Sequence, residues 1–149
     1  MSDNLYPPVV GGCDDGTMPD NVSEFADAIV GHRIVKVERN KTVRTGGTAW
    51  RERPRTVHAD VVFTLDTGQM VALAPGGDCC AFTELDDIVG NLADVDHAVT
   101  QVKPSPGYDE WYILADYGEM MRMKVGWSPG NPFYYGYGFS IHVIPVEAT

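Results

Sequence analysis

Two cysteines stand side by side in "APGGDCCAF" (Ala74 to Phe82), behind a double glycine and an aspartate. Thiols in that setting suggest metal, redox or nucleophilic chemistry, and each makes a demand on the rest of the chain. Structural zinc takes ligands in separated pairs, four in all. The adjacent Cys79 and Cys80 cannot easily both reach one tetrahedral ion. His32, His58, His97 and His142 show no His-x-His or His-x-x-x-His spacing, so no metal site is expected. A dithiol redox motif needs two intervening residues, and a disulfide between neighbours closes a strained ring. A nucleophile needs a thiolate. Asp78 beside Cys79 opposes ionisation, because a carboxylate disfavours a second negative charge, although a histidine distant in sequence could still serve as base. Packing suits these residues better. Successive side chains of an extended segment point to opposite faces, cysteine behaves as a small buried hydrophobe, Gly76 and Gly77 allow a close backbone approach, and Asp78 can bond turn N–H groups.

A second candidate is electrostatic. Of eleven basic residues, eight lie between Arg33 and Arg55: Arg33, Lys36, Arg39, Lys41, Arg44, Arg51, Arg53 and Arg55. Only Glu38 and Glu52 oppose them there, so the stretch nets +6 and the remainder −16 of the total −10. An acidic body repels nucleic acid over most of its surface, which leaves the basic segment as the one place for a phosphate or an acidic protein. Within it, Trp50 supplies an apolar anchor among Arg44, Arg51, Arg53 and Arg55. "TGGT" lacks the ending of a phosphate-binding loop, and no cofactor is implied. A third candidate is the aromatic run "FYYGYGF", where Tyr134, Tyr135 and Tyr137 are suited to a binding face; alternate rings lining the core are the plainer reading.

The elements that must position these residues follow from pattern. Length favours a single domain with a real core. No stretch approaches the roughly 20 apolar residues of a membrane span. The N-terminus lacks the basic and apolar regions of a secretory signal, so a cytoplasmic protein is expected. Three cysteines, Cys13 included, are too few and too oddly placed for a disulfide framework. Residues 1–22 read as an extended arm, and Ser23 as the cap of a short helix that Gly31 ends. "HRIVKVERN" predicts a strand of about six residues. Residues 40–56 predict a long basic loop or a flexible hairpin tip. Val57–Leu65 and Gln69–Leu73 flank "DTG" as a hairpin with Gly68 at positive φ. Leu85, Ile88, Val89 and Leu92 have helical spacing, interrupted by Gly90-Asn91, which predicts one or two helical turns. "DHAVTQVK" predicts a strand, "EWYILAD" and "EMMRMKVGW" a second hairpin, and "FSIHVIPVE" a last strand that Pro145 places at a sheet edge. About seven strands on short turns give an α+β class dominated by an antiparallel sheet.

"GDCC" (Gly77, Asp78, Cys79, Cys80), "LDDIVGNLADV", "WYILA" and "GWSPGNPFYYGYGFSIHV" together resemble a family of small uncharacterised phage and bacterial proteins, a domain of unknown function with a Gly-Asp-Cys-Cys signature. "AIVGHRIVKV" stands where that family carries a phrase like "LIGKTI". The resemblance spans about residues 25–147. Against it, the arm 1–22 looks added and the basic loop 40–56 inserted. It implies a shared fold and a phage context, and no activity.

The expectation is a non-enzymatic phage protein, in the host cytoplasm, that binds a macromolecule through the basic loop, a protein before a nucleic acid. The alternatives are a virion or tail component and a cysteine-dependent enzyme or small-molecule binder.

Overall fold

The computed structural model of the chain describes residues 17–45, 55–77, 82–90, 97–116, 118–128 and 138–145. A helix, α1 (Thr17–Ile29), is followed by β1 (Ile34–Thr45), β2 (Arg55–Leu65), β3 (Met70–Ala74), β4 (Gly76–Gly77), β5 (Phe82–Gly90), β6 (Val99–Pro104), β7 (Glu110–Ala115), β8 (Gly118–Ser128) and β9 (Ser140–Ile144). Among the described residues, eight strands of five residues or more and the two-residue β4 build two antiparallel sheets. Their orders are β1-β2-β3-β9 and β4-β5-β8-β7-β6. The α+β class with a dominant antiparallel architecture is what the sequence predicts. No described helix is long and apolar enough to cross a membrane.

The helix starts earlier than Ser23. Met18, Val22, Phe25 and Ile29 form one buried stripe at helical spacing. Pro19 lies in the first turn, where its missing N–H would have no intrahelical acceptor. Gly31, at φ +89°, ends the helix as expected. The stripe fills the space between the sheets, with the Phe25 ring 5.4 Å from that of Phe63 on β2 and 6.0 Å from that of Trp111 on β7. Residues of α1 and of both sheets thus share one core. A smaller cluster gathers Val43, Ala59, Val62 and Ala72.

Two hairpins stand where the turns predict them. Leu65 and Met70 flank a turn with Gly68 at φ +93°, and Ala115 pairs with Gly118, itself at φ +125°. Two other elements differ from expectation. β1 runs twice the anticipated length, because Asn40 adopts φ +53° without ending the ladder; asparagine tolerates the left-handed region. Of the segment read as helical turns, residues 83–90 are in the strand β5, and 91–95, with Leu92, lie outside the described residues. Thr83 and Leu85 are buried, a bulge intervenes between Leu85 and Asp87, and Ile88 then returns to the core side. One inserted residue in a period of two separates Leu85 from Ile88 by three, which imitates a helix.

Candidate functional site

The chain changes sheets at Pro75. β3 ends at Ala74, opposite Ser140 of β9, and Gly76 and Gly77 then pair with Thr83 and Phe82 in the other sheet. This corner is held by backbone contacts that the sequence does not advertise. The Thr83 hydroxyl, fully buried, accepts the Gly138 N–H at 2.6 Å. A Cβ at Gly76 would collide with the Gly138 carbonyl, so glycine is required by space rather than by φ. Asn21 brackets the next residue: its Oδ1 accepts the Phe139 N–H at 2.8 Å and its Nδ2 donates to the Phe139 carbonyl at 2.9 Å. The Phe139 ring then stands edge-on to Trp111 at 5.4 Å.

The corner brings the ends of two connections together. The connection 78–81 leaves from Gly77 and returns at its pairing partner Phe82. The connection 129–137 leaves from Ser128, which pairs with Phe82, and returns at Gly138, bonded to Thr83. The basic hairpin leaves from the same end of the fold. The ladder of β2 with β3 reaches Val61↔Leu73, whereas β1 and β2 continue to pair as far as Thr45↔Arg55. Five further pairs extend the hairpin about 15 Å past β3. Val43 and Ala59 are buried along it, so the hairpin is anchored over that length.

Its charges divide in two. Near the base, Arg33 lies 3.5 Å from Asp66, and Lys36 and Lys41 lie 3.5 and 2.9 Å from Glu38. Arg39 donates to the Asp60 carbonyl at 3.2 Å and lies 3.7 Å from Asp87. The hydrogen bond from Lys41 holds the Glu38 carboxyl below its ordinary range, against a smaller opposing effect of burial, with Lys36 adding to the attraction. At the far end, Arg44 and Arg55 are exposed and meet no acid among the described residues.

Of the residues singled out in the sequence, Arg44 lies on β1 opposite Thr56, Arg55 begins β2 opposite Thr45, and Gly77 lies on β4. Trp50, Arg51, Arg53, Asp78, Cys79, Cys80, Tyr134, Tyr135 and Tyr137 lie outside the described residues. The predicted loop 40–56 narrows to the connection 46–54, which favours the hairpin-tip reading. Asn21, Thr83 and Gly138 were not singled out. The double glycine hints at a close approach, but nothing local marks Asn21 or Thr83, whose partners are 118 and 55 residues away.

The described residues bring no three His, Cys, Asp or Glu side chains together as metal ligands. No curated protein and no solved structure is significantly similar to the chain. A family model does match, over residues 27–141, from the end of α1 through the corner to the start of β9. With the double-glycine corner and strands β1 to β8 inside that span, the chain belongs to the family defined by DUF7448, a domain of unknown function.

Proposed function

We propose that the protein is a non-enzymatic binding module that engages an acidic protein surface through the far end of the β1–β2 hairpin. The observation that carries this is the division of the hairpin's charge. The base cations are matched by the chain's own acids, while Arg44 and Arg55 are not matched among the described residues. Arg51, Arg53 and Trp50 belong to the connection between them. Unmatched arginines on a body of opposite net charge favour an acidic partner and steer its approach, and an indole adds an apolar anchor. The connection containing Tyr134, Tyr135 and Tyr137 starts and ends at the same end of the fold and extends the contact. The Gly-Asp-Cys-Cys resemblance supports a phage origin and action in the host cytoplasm.

The register supplies the test. Thr45 and Arg55 are directly paired, so residues 46–54 can be replaced by a two-residue Asn-Gly turn. The shortened protein is expected to fold normally and to lose capture of partners from host lysate. Trp50→Ala with Arg51→Ala and Arg53→Ala is expected to weaken binding by roughly 2–4 kcal/mol. Undiminished capture by the shortened protein sinks the assignment, and recovery of nucleic acid alone moves it to a phosphate ligand.

A further inference from the structure

Among the described residues, β9 is an edge strand, paired with β3 on one side only. Its other side begins under cover, because at Phe139 the Asn21 amide takes the place of a neighbouring peptide group, accepting from the N–H and donating to the C=O. In an antiparallel strand the N–H and C=O of one residue point the same way, and the direction alternates along the chain. Those of Phe139 point away from β3. By that alternation those of Ile141 and Val143 also point away, while Ser140, His142 and Ile144 face β3. No backbone hydrogen bond outside the sheet reaches Ile141 or Val143 among the described residues.

The side chains tell the same story. Val143 is 51% exposed, although it is paired with the fully buried Val71. Ser140–Ile144 contains no carboxylate, lysine or arginine. The opposite edge of the sheet, β1, carries Lys36, Arg39 and Lys41, a register shift after Ile34 and a left-handed Asn40. Such features discourage the addition of a strand, and β9 has none of them.

We infer that the outer edge of β9 pairs antiparallel with β9 of a second copy of this chain. The two outward rungs, Ile141 and Val143, lie symmetrically about His142. A two-fold axis at His142 therefore sets Ile141 of each copy against Val143 of the other, and both rungs exchange N–H···O bonds without any slip in register. The same pairing places β-branched side chains opposite one another and covers the exposed Val143. A self-pairing suits the charge as well, since copies that each carry −10 approach most easily along an uncharged strand. Two four-stranded sheets become one continuous sheet of eight. With only two bonded rungs from each copy, the dimer is weak and reversible.

Sedimentation of the full-length protein across the micromolar to millimolar range tests this, together with hydrogen exchange at low and high concentration. The wild type is expected to dimerise, with exchange at the Ile141 and Val143 amides slowing as concentration rises. Val143→Pro deletes only an outward N–H, a place where an edge strand accepts proline, and Val143→Lys sets a charge on the edge. Each is expected to weaken dimerisation at least about tenfold while leaving the thermal midpoint nearly unchanged. Should Val143→Pro unfold, Val143→Lys and the exchange data decide. A monomeric wild type at every concentration, an undiminished dimer in Val143→Lys, or a dimer that leaves both amides unprotected overturns the inference.

Discussion

One methyl group at Gly76 decides whether two segments can lie where they do. The obstacle to a Cβ is the Gly138 backbone rather than a flexible side chain, so Gly76→Ala is expected to destabilise by about 1–3 kcal/mol, the usual cost of overpacking. Chemical denaturation measures it, and a neutral result would show that the corner can spread. Asn21→Ala removes two buried hydrogen bonds and strands both polar groups of Phe139; a loss of roughly 2–4 kcal/mol is expected. Asn21→Asp retains the acceptor but sets a carboxylate against the Phe139 carbonyl, and it should recover only part of that stability. Glu38 is tested by titration. Its pKa is depressed in the folded state, so any stability it contributes is present above the unfolded carboxylate pKa and lost as pH falls through the lower folded value. Carboxyl NMR should place its midpoint below that of an ordinary glutamate, and Lys41→Gln should move it upward. An unchanged midpoint in Lys41→Gln would show that the hydrogen bond from Lys41 does not set it.

Elements were legible wherever local spacing carried their cause. The hairpins around Gly68 and Gly118 and the helix stop at Gly31 follow from turn chemistry, and Pro145 directly follows an edge strand. β5 was illegible because its bulge at Asp86 shifts the apolar phase by one residue. Deleting both Asp86 and Asp87 should set Ile88 next to Leu85, turn it away from the core, and cost roughly 3 kcal/mol or more. If that deletion left the thermal midpoint unchanged, the register after Leu85 would not be fixed by the core. The first turns of α1 were illegible for a different reason. Pro19, Asp20 and Asn21 read as irregular chain, and only the stripe from Met18 to Ile29 shows them to be helical. Truncation through residue 20 therefore removes a buried methionine. It is expected to lower the thermal midpoint by on the order of 10 °C, and a drop of a degree or two would mean that Met18 contributes little. Of the candidate site, the basic run could be read from the sequence. Its division into matched and unmatched charge could not, since it depends on Asp66 and Asp87 being brought beside β1 by the fold.

At the scale of the whole molecule, α1 and the two sheets of the described residues share a core, and the corner that joins the sheets also gathers the ends of the connections at 78–81 and 129–137. The Asn21–Phe139 contact has a further consequence for how the chain reaches this state. It joins residues 118 apart, and closing a loop of that length costs roughly 4 kcal/mol of chain entropy beyond a constant. During synthesis β1, β2 and β3 emerge first, whereas β9, their fourth strand, follows only after β4 to β8 have been made. Until it arrives, the outward N–H and C=O groups of Met70, Ala72 and Ala74 are bare, next to the apolar Val71 and Leu73. The nascent protein thus has a sticky interval, in which an unfinished sheet can recruit strands from neighbouring chains. How quickly β9 docks sets the balance between a soluble product and an aggregated one.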